Sequence, residues 1–423
     1  IGVILDVVYN HLGPDVNFLG AFSEDYFSTR YSTDWGKAIN FDAENSGPVR
    51  EYYLANAAYW IDEFHLDGLR VDATQNIYDA SLPHILQELS RVVRESAGGR
   101  RTIVIAENEP QDPQVARPPD KGGFGFDGMW NDDFHHSAAV ALTGRKEAYF
   151  TDYQGAAQEF ISAAKYGFLY QGQRYFWQKQ RRGQSARDLR PDVFVNFIQN
   201  HDQIANSARG LRIHEITSPG RFRAMTALML LMPGTPLLFQ GQEFGAPSPF
   251  LFFSDHKPEI GKLVREGRAS FLSQFSSIGK AETASILDDP GDPATFEQCK
   301  LDLGARARNS GIYSLHKDLI RLRREDLVFG TGRRGLDGAV LGPRTFLLRF
   351  FGDGGNDRLL LVNLDVDFQP SIVPEPLLAP PSDCGWRLLF STEDPKYGGS
   401  GAYSPEHEGG WEIPGEAAVV MAA

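Results

Sequence analysis

Asp67-Gly-Leu-Arg-Val-Asp72 is the stretch that decides the fold. Gly68 to Val71 is a short, mostly apolar run, and such runs read as strands buried on both faces of a parallel sheet. The run ends at Asp72, and Arg70 stands two residues earlier, so both side chains leave the same face of the strand. Two further segments repeat the pattern. Thr102-Ile-Val-Ile-Ala106 ends at Glu107, and Val193-Phe-Val-Asn-Phe-Ile-Gln-Asn-His201 ends at Asp202. Acids at the C-terminal ends of strands read as catalytic in a β/α barrel. A pair of carboxyls is also the equipment for breaking a glycosidic bond.

A fourth segment, Ile1-Gly-Val-Ile-Leu-Asp6-Val-Val-Tyr-Asn10-His11, is another strand ending in polar groups. A single such acid is as well explained by a strand cap or an ion pair with arginine. Each motif alone also recurs by chance. Together and in order they read Asp-x-x-x-Asn-His, Gly-x-Arg-x-Asp, Ala-Glu and Asn-His-Asp, each on a strand-like run. This set resembles the four sequence regions of the α-amylase family of glycoside hydrolases.

The resemblance implies a (β/α)8 TIM barrel followed by a C-terminal all-β sandwich, and a retaining double displacement. Asp72 would be the nucleophile, Glu107 the acid/base, and Asp202 a third acid bracing sugar hydroxyls. Arg70 beside Asp72 would keep it ionised and oriented. The apolar Ile103-Val-Ile105 run would raise the pKa of Glu107 and keep it protonated. Retention places the two carboxyls about 5–5.5 Å apart. The implied substrate contacts are Asp6, His11, Arg70, Thr74, Gln75, His201, Gln203 and Asn206, with Asp6 also bracing Arg70. Asn10 binds calcium in some relatives, but the sequence has no clear second cluster of oxygen ligands, so neither metal nor cofactor is expected.

Within the family, several blocks resemble the maltooligosyltrehalose trehalohydrolases. They are Asp6-Val-Val-Tyr-Asn-His-Leu-Gly-Pro14, Asp34-Trp-Gly-Lys-Ala-Ile-Asn-Phe-Asp42, Ala106-Glu-Asn-Glu-Pro-Gln-Asp-Pro113, Trp130-Asn-Asp-Asp-Phe-His-His136, Asn200-His-Asp-Gln-Ile204 and Phe252-Phe-Ser-Asp-His256. The implied reaction is hydrolysis of the α-1,4 bond between trehalose and a maltooligosyl chain, releasing trehalose. Trp130 to His136 follows a barrel strand as a polar loop, and Asp132, Asp133, Phe134, His135 and His136 would recognise the trehalose end. The plainer reading of that loop is a polar cap on a helix. A departure is the missing β-sandwich that family members carry before the barrel. The alternatives are a glycogen branching or debranching enzyme on the same scaffold, and a non-catalytic glucan-binding relative. The intact set of three acids argues against the second.

Composition agrees with a large enzyme. The chain has 423 residues, 42% of them hydrophobic, enough for one barrel and a smaller domain. A net charge of −13 argues against nucleic acid and anionic membrane as partners. Two cysteines, Cys299 and Cys384, fit free thiols in a reducing cytoplasm and leave a single pairing open. No run of 18 apolar residues suggests a membrane span.

Six barrel strands are legible: Gly2–Val8, Gly68–Val71, Thr102–Ala106, Gly128–Trp130, Val193–Ile198 and Pro236–Phe239. A closed barrel needs eight, so the first two are expected ahead of Ile1, and the six alone would leave open edges. The expected barrel covers residues 1–325, with loop insertions at 12–47 and 240–308, and the sandwich covers 326–423. Helices are expected from Pro48 to Phe64 with an aromatic stripe facing the core, from Leu82 to Arg94, and from Ile312 to Arg324. Arg344–Phe351 and Arg358–Leu364 read as a hairpin, and Leu388–Phe390 and Ala417–Met421 as further strands.

Overall fold

Five of the six apolar runs form strands in the computed structural model, whereas the sixth, Pro236–Phe239, is strand only at its first residue, in Thr235–Pro236. The structure describes residues 1–13, 17–278, 287–331, 335–370, 372–381 and 384–423. Pro14 of the first block, and residues 14–16 and 279–286 of the two insertions, lie outside the described residues. The chain forms two compact units. The first is Ile1–Asp132 with Tyr170–Arg174 and Gln180–Val195, and the second is Asp133–Leu169 with Tyr175–Lys179 and Asn196–Ala423.

In the first unit, β1 (Ile4–Val7), β2 (Gly68–Val71), β3 (Ile103–Ala106), β4 (Gly128–Trp130) and β5 (Phe194–Asn196) pair in that order, all parallel. Leu69, Val71, Val104 and Ala106, which the register places on one face of the sheet, are wholly buried, whereas Ile103 on the opposite face is 38% exposed. Gly68 is required by close approach, because a Cβ there would stand 1.8 Å from the Ile103 carbonyl oxygen. Helix α1 (Ser46–Asp62) buries Val49, Tyr53, Ala57 and Ile61, a row at four-residue spacing, and packs on α2 (Ile85–Glu95). The wider aromatic stripe expected of it is not buried throughout. Tyr52 is exposed because it lies off that row, and Phe64 because it lies beyond the end of the helix.

The connection 12–47 contains more order than its sequence suggests. Phe27–Thr33 and Gly36–Ile39 form an antiparallel hairpin whose turn uses Gly36 at φ +119. The alternation there is of Ser, Thr and Arg, with too few apolar residues to mark a strand.

In the second unit, β6 (Thr235–Pro236) is followed by Leu237, whose N–H donates to Asn196 O at 2.8 Å. Trp130 to His136 is not a loop. Helix α3 (Asp132–Thr143) begins at Asp132, directly after β4 and one intervening residue. Helix α4 (Pro219–Leu231) starts with the Ser218 side chain accepting from Arg221 N and Pro219 in its first turn, and nearly all of it is buried. Helix α5 is Ser310–Glu325, and the second insertion contributes a helix over Pro258–Leu272.

The C-terminal part is an antiparallel sheet. Its strands β7 (Leu336–Gly342), β8 (Thr345–Phe350), β9 (Arg358–Asn363), β10 (Arg387–Ser391) and β11 (Ala417–Ala422) lie in the order β7-β8-β9-β11-β10. The expected hairpin pairs Phe346 with Val362 and Leu348 with Leu360. Both faces of the central strands β8, β9 and β11 are buried, with side chains alternating between them. Phe346, Leu348, Leu360, Val362 and Val420 share a core with Phe222 and Leu228 of α4. Leu347, Leu359, Leu361, Val419 and Met421 face a second layer containing Leu378, Trp386 and Ile413. Cys299 is buried, Cys384 is exposed, and both are free. Among the described residues, no helix is long and apolar enough to cross a membrane.

Candidate active site

Strand register builds the first cluster. Asp6 pairs with Arg70 across β1 and β2, and Val71 pairs with Ala106 across β2 and β3. Asp72 and Glu107 therefore leave their strands at the same level. The Arg70 guanidinium, only 6% exposed, lies among three carboxylates. Nη1 donates to Asp6 Oδ1 at 2.7 Å and to Asp72 Oδ1 at 2.8 Å, and Nη2 donates to Glu107 Oε2 at 2.6 Å. Trp130 supports it from below, with its ring centroid 4.2 Å from the guanidinium carbon.

Burial alone would raise the pKa of Asp72. The Arg70 charge, a hydrogen bond from Asn10, another from Glu107 and a third from Arg70 overcome that and hold it below the usual carboxylate range. Asn10 Nδ2 donates both to Asp72 Oδ2 at 3.0 Å and to Asp72 O at 2.9 Å.

Glu107 does not sit in the apolar surroundings suggested by Ile103-Val-Ile105. Its strand ends at Ala106, and beyond that level it meets polar groups, among them Arg70, Asp72 and the Ala73 N–H, which donates to Glu107 Oε2 at 3.1 Å. Ala73 has φ +37 and ψ 55, a left-handed conformation that costs a non-glycine residue energy and is found at functional sites. Thr74 Oγ1 donates to Glu107 O at 2.7 Å, and Gln75 Oε1 accepts from Glu109 N at 3.3 Å. Both residues thereby tie down the segment after Glu107. His11 stacks on Trp35 with ring centroids 5.2 Å apart, and its Nδ1 contacts Asn10 Oδ1. Burial pushes the His11 pKa down, against the pull of Asp72.

The other expected residues lie in the second unit, apart from Asp132, which opens α3 and is buried. His201 and Asp202 form the first turn of a short helix, His201–Ala205, capped by Asn200 Oδ1 accepting from Gln203 N at 2.8 Å. His201 Nε2 is 3.3 Å from Asp202 Oδ2, and both side chains are exposed. Tyr149 OH donates to Gln203 Oε1 at 2.8 Å, and Arg268 Nη1 donates to Asn206 Oδ1 at 2.8 Å. Gln203 and Asn206 also line a cavity of about 370 Å³, together with His135, Phe150 and Gln199.

Asp133, Phe134, His135 and His136 are buried, contrary to a solvent-facing recognition loop. A helix that directly follows a core strand turns this segment inward. Tyr153 OH donates to Asp133 Oδ1 at 2.7 Å, and Phe134 packs on Phe160. His135 stacks on Phe197, and His136 lies among Tyr149, Phe150 and Tyr153. Burial lowers the His135 pKa to about 3. The first-turn acids of α3 were a helix-start signal that the segment's polarity concealed. The support of Arg70 by Trp130 and of Asp72 by Asn10 was not visible at all, since both depend on contacts distant in sequence.

Residues 333–420 match a family described as a domain of unknown function, DUF3459. The chain is 38% identical over 405 residues to a malto-oligosyltrehalose trehalohydrolase of Deinococcus radiodurans, covering 93% of this chain and 63% of the relative. It is 39% identical over 326 residues to the enzyme of that name from Saccharolobus solfataricus, covering 77% of this chain and 54% of the relative. The chain thus spans between about half and two thirds of the length of these curated relatives. A crystal structure of a provisional alpha amylase from Salmonella typhimurium superposes with a TM-score of 0.83 at 29% identity, covering all of this chain and 68% of that one. That likeness identifies the parallel sheet as part of a TIM barrel. With four sequence regions following one another in this order along the chain, and relatives of this kind over most of its length, the chain belongs to the α-amylase family of glycoside hydrolases.

Proposed function

We propose that the protein is a retaining α-glycosidase that hydrolyses the α-1,4 bond between trehalose and the maltooligosyl chain of maltooligosyltrehalose, releasing trehalose. The observation that carries this is one guanidinium, Arg70, tying the strand-end carboxyls of Asp72 and Glu107 together. The names of the relatives at 38% and 39% identity supply the substrate.

In this reading Asp72, held ionised, attacks the anomeric carbon. Glu107 gives its proton to the departing trehalose oxygen, and a glycosyl ester forms on Asp72. Glu107 then takes a proton from water, which hydrolyses the ester and restores both groups. Asp202 braces sugar hydroxyls as charge develops at the anomeric carbon. Asp6, His11, Arg70, His201, Gln203 and Asn206 complete the contacts, while Thr74 and Gln75 act through the backbone they hold. Asp132, Asp133, Phe134, His135 and His136, buried at the start of α3, act through packing rather than by touching sugar. The free Cys299 and Cys384 support a cytoplasmic location.

The test is product analysis with purified protein on maltooligosyltrehalose and, separately, on amylose. Free trehalose should be the main product of the first. Branched or debranched glucan with no trehalose would favour the related transferases and debranching enzymes. Binding with no product would favour a lectin-like relative.

A further inference from the structure

Two residues beyond Glu107, a buried arginine grips a half-exposed carboxylate. The Arg182 side chain is 1% exposed, and its Nη1 donates to Glu109 Oε1 at 2.5 Å, while the Glu109 side chain is 40% exposed. Arg182 is itself held by its backbone. Its N–H donates to Gln173 O at 3.1 Å, and its carbonyl accepts from Gly172 N at 2.8 Å. The next residue, Gly183, donates to Pro110 O at 2.9 Å. A Cβ on Gly183 would stand 2.1 Å from the Tyr170 carbonyl oxygen, so the 170–183 segment is closely fitted at this point.

The ion pair is not needed to fix the backbone after Glu107. Asn108 Nδ2 already donates to Thr74 Oγ1 at 3.0 Å, and Gln111 Nε2 donates to Asn108 O at 2.7 Å and to Trp130 O at 3.1 Å. Glu109 N is tied to Gln75. Burying a guanidinium carries a desolvation cost that an ion pair only partly offsets. What the pair adds is a carboxylate of fixed orientation and partial exposure, two residues along the chain from the group that protonates the leaving oxygen. A fixed carboxylate at such a place suits the hydroxyl pairs of a saccharide, each donating a charge-assisted hydrogen bond.

We propose that Glu109, held in place by Arg182, is a specificity-determining residue that accepts hydrogen bonds from hydroxyls of the saccharide leaving group. This rests on the assignment of Glu107 as the acid that protonates that group. It predicts a loss confined largely to substrates whose leaving group carries hydroxyls.

The test is Glu109→Gln, whose amide oxygen can still accept from Arg182, with Glu109→Asp as a second variant that keeps the charge but draws it back by one methylene. For each, kcat/KM is measured on maltooligosyltrehalose and on an aryl α-maltooligoside whose leaving group has no sugar hydroxyls. The ratio of the first to the second should fall about 10- to 100-fold, the worth of one or two hydrogen bonds to a charged group. An unchanged ratio in both variants, whatever the absolute rates, overturns the proposal and leaves the pair a structural one. Wild-type protein that releases no trehalose would instead overturn the substrate assignment, so the two failures are distinguishable.

Discussion

Arg70 Nη1 lies 2.8 Å from Asp72 Oδ1, two residues along the same strand. That contact keeps Asp72 charged in a partly buried setting and aims it. Replacing Asp72 by Asn preserves volume and the hydrogen bonds from Asn10. The variant should therefore fold and bind oligosaccharide while losing turnover, since the interaction removed is made in the transition state. Folding is checked by circular dichroism, binding by calorimetry and turnover by product release. More than about a tenth of the wild-type rate, a loss under ~1.4 kcal/mol, is incompatible with a nucleophilic role.

Glu107→Gln should discriminate between leaving groups. Loss of a proton donor hurts most where the departing oxygen is basic, as in a sugar, and least with an activated aryl group. The measurement is kcat/KM on maltooligosyltrehalose and on 4-nitrophenyl glycosides. Equal losses on both, with glycosylation limiting in each case, would remove Glu107 from the acid role.

The depressed pKa of Asp72 has a pH consequence with a definite sign. A carboxylate whose folded pKa lies below its unfolded value adds stability that is full above the unfolded pKa, near 3.9, and is lost as pH falls through the lower folded one. The acid limb of kcat/KM set by Asp72 should lie in that same low range. Asn10→Ala removes two hydrogen bonds that Asp72 accepts, at 2.9 and 3.0 Å, and should move the limb upward in pH. A pH–rate profile of the two proteins checks this, and a limb that stays put or moves down contradicts the assigned cause.

Phe134 tests whether the Trp130–His136 segment is core or recognition surface. It is wholly buried and packs on Phe160 with ring centroids 6.2 Å apart. Phe134→Ala should cost about 3–5 kcal/mol of stability by opening a cavity in the core. Denaturant unfolding measures it. A loss under about 1 kcal/mol together with a changed substrate preference would return the residue to the sugar.

The legible part of this protein was the part written in short range. Val71 and Ala106 close apolar runs that form strands, so the positions of Asp72 and Glu107 could be read directly. The alternating Phe346–Leu361 hairpin was equally plain. Three things were not. The Phe27–Ile39 hairpin has little apolar alternation to reveal it. The segment from Asp132 looks like a loop, because Asn131, Asp132 and Asp133 are polar, although two acids in a first turn also favour a helix start. The setting of Glu107 depends on Arg70, 37 residues away, and on Ala73 in a left-handed conformation. Arg182 is further still, 73 residues from Glu109. Local pattern carries no information about such pairings.

The most direct test of retaining hydrolysis at the trehalose linkage is proton NMR of the first products formed from maltooligosyltrehalose, before mutarotation. Attack by Asp72 followed by water inverts the anomeric carbon twice. Free trehalose should therefore appear together with the α-anomer of the maltooligosaccharide. The β-anomer, or a digest that yields maltooligosaccharides without trehalose, would contradict the account.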